Sequence, residues 1–269
     1  MAERAAGFDV RRIPGFGATA ALAFVLLYAP LAILVAYSFN AGSSVAIWEG
    51  LSLRWYRAAL ANAAVQDAAI RSLWLAVLAS AGATICATLA ALATARGRAF
   101  RGRTAIYALI NQSLMVPEIV TGVALLIVFA SIKVATGYQG LGYLVAAHTA
   151  FCIPFAYLPI RARLQSMDAS LERAAADLYA TPLRTFRHVT LPLMAPGVVA
   201  GAMLAFVISL DDVVITELVK SAGQETLPTY LLGQTRRGLT PEMNAISTML
   251  LALSVAAVTV IFLLTRKKS

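Results

Sequence analysis

The sequence predicts an all-α integral membrane protein with six transmembrane helices, and three observations carry that prediction. Only 13% of the 269 residues are charged while 60% are hydrophobic, against about 25% charged in an ordinary soluble domain. The mean hydropathy is +0.77. The apolar residues gather into runs long enough for the ~20 residues of helix that a bilayer crossing requires. Most of the surface therefore faces something other than water.

Six runs qualify: 16–38, 72–94, 104–131, 142–160, 194–219 and 245–265. The first follows Arg11-Arg12, as a secretory or twin-arginine signal would. Its apolar stretch is too long for a signal core and no small-residue cleavage site follows, so an uncleaved first helix is expected. The basic residues set the orientation. Arg4, Arg11, Arg12, Arg96, Arg98, Arg101, Arg103, Arg161, Arg163, Arg173, Arg184, Arg187, Arg266, Lys267 and Lys268 fall on one side, 15 of the 22 Lys and Arg. The excess of Lys and Arg on the cytoplasmic side of membrane proteins places both termini and the 162–193 loop in the cytoplasm. The expected organisation is a tail over 1–15, a single transmembrane domain over 16–265 and a tail over 266–269. On the outer side, Leu53-Arg54-Trp55-Tyr56-Arg57 mixes aromatic and basic residues as a short interfacial helix does.

Several features mislead if read alone. The net charge of +9 does not point to nucleic acid, because the basic residues sit between apolar runs and not on one face. Gly97 to Thr104 approaches a phosphate-cradling loop, with Arg103 where that loop needs Lys, but it joins two membrane runs and lacks the strand before it. Cys86 and Cys152 lie inside apolar runs, where a thiol behaves as a small hydrophobe. No metal-ligand spacing accompanies them. His148 stands alone in the fourth run and reads as a hydrogen-bonded core histidine.

The cytoplasmic segment Leu171-Glu172-Arg173-Ala174-Ala175-Ala176-Asp177-Leu178-Tyr179-Ala180-Thr181-Pro182, continuing to Val189-Thr190-Leu191-Pro192, is the most informative stretch. Strong helix formers fill Ser170 to Ala180. Thr181 can cap a second short helix that Pro182 starts, and Leu191-Pro192 is expected to end it before the fifth run. The order of residues resembles the "EAA" loop of ABC importer permeases: E-A-A, three residues, G, nine residues, a branched apolar residue, any residue, then L-P. The positions here are Arg173, Ala174, Ala175, Tyr179, Val189, Leu191 and Pro192, with the spacing kept in full. The usual glutamate is Arg173, with Glu172 one place earlier, and the usual glycine is Tyr179.

Resemblance extends over about 45–265 and is closest to the spermidine/putrescine permease family, through Leu51-Ser52-Leu53-Arg54-Trp55-Tyr56, Pro117-Glu118-Ile119-Val120, Ser209-Leu210-Asp211-Asp212-Val213-Val214-Ile215 and Thr240-Pro241-Glu242-Met243-Asn244-Ala245. It implies a type I ABC importer permease (MetI-like) fold in a bacterial inner membrane, and a non-catalytic subunit. It also implies a second permease, a pair of ATP-binding subunits that hold the ATP and magnesium, and an outer solute-binding protein. No cofactor is implied for this chain. In the family the loop docks on the ATP-binding subunit, which assigns coupling to Glu172, Arg173, Ala174, Ala175, Asp177, Tyr179, Thr181, Pro182, Leu191 and Pro192. The implied passenger is a polyamine or a related organic amine or opine.

Acids at bilayer depth cost about 2.5–3.5 kcal/mol each on insertion scales, so they normally face an aqueous path or a partner. Glu118 is expected roughly 21 Å into the third run, near mid-membrane, with Pro117 opening the backbone beside it. Asp211, Asp212 and Glu217 lie in the fifth run. Asp212 shares a helical face with Ser209 and Thr216, a polar stripe suited to a lumen, while Asp211 points away to a neighbouring helix or subunit. Acids without a basic residue in the same run favour a cationic passenger, which needs shallow counter-charges along its route. Two readings compete. A stand-alone ion-coupled transporter would carry a proton on Glu118 or Asp212, but the repeats common in such transporters are missing. A membrane enzyme with Asp211 and Asp212 as metal ligands lacks supporting His or acidic residues.

Overall fold

Helices account for every long apolar run. The structure is a computed structural model and describes residues 15–96, 100–138 and 140–266. Arg4, Arg11, Arg12, Arg98, Lys267 and Lys268, which contribute to the charge bias, lie outside the described residues, as do 97–99 of the false phosphate loop. The chain divides into two units, Met1–Ala61 with Arg237–Met249, and Asn62–Arg236 with Leu250–Ser269.

In the first unit, α1 (Phe16–Tyr37) is apolar throughout and buries none of its residues. The chain then turns around buried Asn40. Its Oδ1 accepts from the amides of Gly42 (3.2 Å) and Glu49 (2.9 Å), and its Nδ2 donates to the carbonyls of Ser44 and Ile47. One side chain thus satisfies four backbone groups that a loop beside lipid could not leave bare. The interfacial helix follows as α2 (Arg54–Ala61). The Arg54 guanidinium lies 4.3 Å from the Trp55 ring centre, and Trp55 Nε1 donates to Gly42 O at 3.0 Å.

In the second unit, Asn62 caps α3 (Ala63–Ala95) by accepting from the Ala64 amide. At 1.5 Å per residue its 33 residues span about 50 Å, beyond the ~30 Å of bilayer hydrocarbon. The expected run 72–94 therefore gains more than two turns at its start. Next come α4 (Arg103–Met115), α5 (Glu118–Thr136) and α6 (Gly142–Ser166). After these are α7 (Ser170–Asp177), α8 (Pro182–Thr185), α9 (Leu191–Asp211), α10 (Val214–Val219) and α11 (Leu227–Thr235). Helix α12 (Pro241–Arg266) closes the chain.

The core is where α3, α6 and α9 meet, and it is built from small residues: Ala83, Ala87 and Ala91 of α3 face Cys152, Ala156 and Tyr157 of α6 and Ala205 of α9, all fully buried. In a membrane, close backbone approach and van der Waals packing replace the hydrophobic drive between helices. Gly201 shows how close: a Cβ there would lie 2.6 Å from the Ala156 carbonyl oxygen. The buried hydroxyls of Thr94 and Tyr157, 2.7 Å apart, tie α3 to α6.

Three expectations are corrected. The third run is not continuous from 104 to 131: it breaks at Val116–Pro117, with Val116 extended (φ −77, ψ 132). Proline disfavours the helical region for the residue before it and donates no hydrogen bond. The membrane-length helix here is Glu118–Thr136 alone, so Glu118 opens a helix and does not sit in the middle of one. The fifth run likewise stops at Asp211, because Asp212 leaves the helix (φ −65, ψ 134) to cap α10. Finally, Leu191-Pro192 does not end the second loop helix. A π-helical turn, Phe186–Thr190, absorbs the missing proline amide, with Leu191 N–H bonding to Phe186 O. Pro182 to Asp211 thereby runs on as one helical stretch of 30 residues.

Candidate functional site

Two helices that pack together, α5 and α10, carry an acidic residue at or just before their starts. Asp212 lies two residues before α10, and its carboxylate takes the free amides of that helix start: Oδ1 accepts from Ile215 N (3.2 Å) and Oδ2 from Thr216 N (2.8 Å). A side-chain acceptor at this position satisfies donors that have no partner within the helix. The Thr216 hydroxyl adds a third bond to Oδ2 at 2.8 Å. The Asp212 side chain is 1% exposed.

His148 of α6 completes the cluster. Its Nδ1 lies 2.9 Å from Ser209 Oγ and its Nε2 lies 2.9 Å from Thr216 Oγ1 and 3.3 Å from Asp212 Oδ2. The donor count assigns the tautomer. Thr216 commits its one hydroxyl hydrogen to Asp212, so it accepts from His148, which places the imidazole hydrogen on Nε2 and leaves Nδ1 to accept from Ser209. The structure therefore brings Ser209, Asp212 and Thr216 together, but around a buried imidazole and across a helix break. They do not form a stripe on one helix face. The hydrogen-bonded reading of His148 holds, and its partners are the acid and hydroxyls that the sequence singled out separately.

Glu118, first residue of α5, lies near enough to Asp212 for the two carboxyl groups to interact electrostatically. Helices α5 and α10 approach closely because Gly122 is bare: a Cβ there would lie 2.6 Å from Leu218 Cδ1. The N-terminal end of each helix carries partial positive charge that stabilises an acid placed on it. Asp211 is exposed at the end of α9, and Ser254 Oγ of α12 donates to it at 3.4 Å. Asp211 thus meets a neighbouring helix, as its offset from Asp212 implied. Glu217 is not free of basic partners, since Lys220 Nζ lies 2.7 Å from its carboxylate and 3.9 Å from that of Glu225. Lys220 follows α10 by one residue, just past the run in which no base was read.

The loop that carries the motif folds as α7, a tight turn and α8. Its turn has the full hydrogen-bond pattern of a left-handed helix stop: Tyr179 N–H bonds to Ala176 O at 2.9 Å and Ala180 N–H to Ala175 O at 3.0 Å. Tyr179 occupies the left-handed position (φ 58), the sole non-glycine residue with positive φ among those described. The turn that glycine usually makes is therefore kept, with a tyrosine that is 95% exposed. Thr181 caps α8 through Arg184 N, and Pro182 opens it. Arg173, Ala174, Asp177, Pro182, Leu191 and Pro192 are exposed, and Ala175 is half-buried. Glu172 faces inward instead. It accepts from Thr190 Oγ1 (2.9 Å) and lies 3.5 Å from Arg96 Nε at the end of α3. Arg96 Nη2 also donates to Met167 O. Sequence reasoning missed Arg96 and Thr190 because their pairing with Glu172 is made across elements. The one available signal was an acid displaced by one place from its usual position.

Helix breaks lined with acids and a helix–turn–helix loop define a membrane transport subunit. The chain belongs to the family of binding-protein-dependent transport system inner membrane components, whose model matches residues 83–267. It is 40% identical over 233 residues to the putrescine transport system permease protein PotI of Escherichia coli (strain K12), covering 86% of this chain and 83% of that protein. It is 38% identical over 246 residues to the spermidine/putrescine transport system permease protein PotC of Haemophilus influenzae, covering 91% of this chain and 94% of that one. Among solved structures, it matches a chain of the MetNI methionine ABC transporter with a TM-score of 0.61 (17% identity, 77% of this chain and 99% of that chain). It also matches a chain of a bacterial ABC transporter involved in alginate import with a TM-score of 0.67 (15% identity, 97% and 98%). These establish the importer-permease fold, and the family establishes a permease subunit in place of a stand-alone transporter.

Proposed function

We propose that this chain is one half of the translocation path of an ATP-driven importer for a small organic cation of the polyamine class. The carrying observation is the 40% identity to PotI over most of both chains, because it extends through the two helix starts where Glu118 and Asp212 sit. Glu118 and exposed Asp211 are the acids placed to meet a passenger. Asp212 contributes through the cap it holds, and Glu217 is offset by Lys220. Both termini and the 162–193 loop face the cytoplasm, residues 16–265 form the transmembrane domain, and a distinct second permease completes the path. ATP and magnesium are held by a separate ATP-binding subunit that docks on α7 and α8, and a solute-binding protein delivers the passenger from outside.

The experiment is co-purification of the complex followed by uptake into proteoliposomes. The untagged ATP-binding subunit is expected to come down with the wild-type chain and not with Ala174→Asp/Ala175→Asp, whose new carboxylates would be buried without partners on docking. Putrescine or spermidine uptake is expected to fall strongly in Glu118→Gln. Normal docking of the double variant would remove the coupling assignment, and wild-type amine uptake by Glu118→Gln would remove the cation assignment. Labelling of a cysteine at Ser43 from outside, and at Ser166 only from inside, tests the orientation.

A further inference from the structure

A break in a membrane helix separates two sets of unmatched backbone groups, and lipid satisfies neither. At the α9–α10 break the amides are taken by Asp212, but a capping carboxylate holds its place only if its own rotamer is fixed. The fixing group comes from a third helix. His148 is fully buried, and its two ring nitrogens reach to opposite sides of the break, to Ser209 at 2.9 Å before it and to Thr216 at 2.9 Å after it. Each nitrogen has one role in the neutral ring, one accepting and one donating, so both bonds form at once.

We propose that His148 is a positioning residue for translocation: from α6 it clamps the two sides of the α9–α10 break and holds the Asp212 carboxylate in the α10 cap. The position of α10 in turn sets that of α5, since Gly122, one turn beyond Glu118, lets Leu218 lie against α5. One imidazole thereby fixes the spacing of the two acid-bearing helix starts. The two arms are unequal. The Nε2 arm touches Thr216 and Asp212 and governs the cap, whereas the Nδ1 arm touches only the end of α9. The clamp rests on the chain's being a transport subunit, which its family establishes, and not on the charge of the passenger.

The arms can be separated, because a glutamine amide reaches where Nε2 sits and an asparagine amide reaches only as far as Nδ1. A packing reporter stands nearby: Cys152, one turn further along α6, is buried with its Sγ 3.5 Å from Ala205 O of α9. In the assembled transporter, with exposed Cys86 replaced by serine, three quantities are read: amide exchange over 212–219, maleimide labelling of Cys152, and putrescine uptake. His148→Asn is expected to speed exchange at Ile215 and Thr216 and to slow uptake, each by roughly tenfold, the scale of one lost hydrogen bond in a charged network. His148→Gln is expected to stay within about threefold of wild type in both, through the bond it keeps. Cys152 should stay unlabelled throughout.

Wild-type exchange and uptake in His148→Asn would overturn the clamp. So would equal loss in both variants together with labelling of Cys152, since the ring would then serve packing alone. If the wild-type chain imports no putrescine, the amine assignment fails and the exchange rates alone decide the clamp.

Discussion

Thr190 Oγ1 donates to Glu172 Oε1 at 2.9 Å, joining the first turn of α7 to the last residue before α9. The same carboxylate meets Arg96 at 3.5 Å, a charge contact and not a hydrogen bond, since Arg96 Nε has no hydrogen-bond partner among the described residues. Glu172→Ala removes both links and is expected to loosen α7 by about 1–2 kcal/mol, the range of a hydrogen bond to a charged group that is still partly in water. Glu172→Gln keeps the bond from Thr190 and should lose less than half of that. Amide exchange across 170–180 measures both. Equal loosening in the two variants would mean that the charge and not the hydrogen bond holds the loop.

Tyr179 is held at φ 58, a conformation that costs a residue with a Cβ about 1–2 kcal/mol. Tyr179→Gly relieves that cost against the larger conformational freedom glycine brings to the unfolded chain, about 0.5–1 kcal/mol. The expected net is a loop up to about 1 kcal/mol more stable, read as slower exchange of the Tyr179 and Ala180 amides. Faster exchange in the glycine variant would show that the phenol ring, although 95% exposed, holds the turn by another means.

Gly201→Leu forces side-chain atoms into a space where even a Cβ lies 2.6 Å from the Ala156 carbonyl oxygen. Overpacking of this kind costs about 1–3 kcal/mol, and the melting temperature of the purified chain should fall accordingly. Gly233→Ala is the matched control, since a Cβ at Gly233 meets nothing within 4 Å and alanine favours the helix by up to about 1 kcal/mol. An unchanged melting temperature for Gly201→Leu would place the α6–α9 contact elsewhere.

Asp168 carries the acid dependence of the loop that holds α7 and α8. The Ser170 hydroxyl at 2.6 Å and the Ser170 amide at 2.8 Å both donate to its carboxylate and hold it below the usual aspartate range. Because the folded form is the stronger acid, this support is fully present above the unfolded value and disappears as pH falls through the folded one. Protection at the start of α7 is expected to decline only below the ordinary aspartate range, and Asp168→Asn should flatten that decline. A fall in protection between neutral pH and pH ~5 would assign the loss to another group.

The apolar runs made the membrane helices legible, and the loop motif made the α7–α8 segment legible down to the Thr181 cap. The breaks at Val116–Pro117 and at Asp212 were not, because the apolar residues continue on both sides and hydropathy averages over a single extended residue. Pro117 signalled a disturbance, but a proline inside a membrane helix produces either a kink or an end, and α6 keeps Pro154 and Pro159 within one helix. The site divides in the same way. Acids at depth stand out by composition, whereas their partners are set by which helices pack together. Nothing in the spacing of His148 from Ser209 and Thr216, or of Arg96 from Glu172, announces a shared network.

The π-helical turn at Phe186–Thr190 makes a rigid rod of α8 and α9, and it also sets that rod's phase. One residue more than an α-helix needs rotates everything before it by about 100° relative to everything after it. Deleting a single residue from this turn would leave the rod unbroken and the membrane span intact, yet swing α7 and Tyr179 to a different compass bearing about the axis of α9. The turn therefore sets the bearing of the loop.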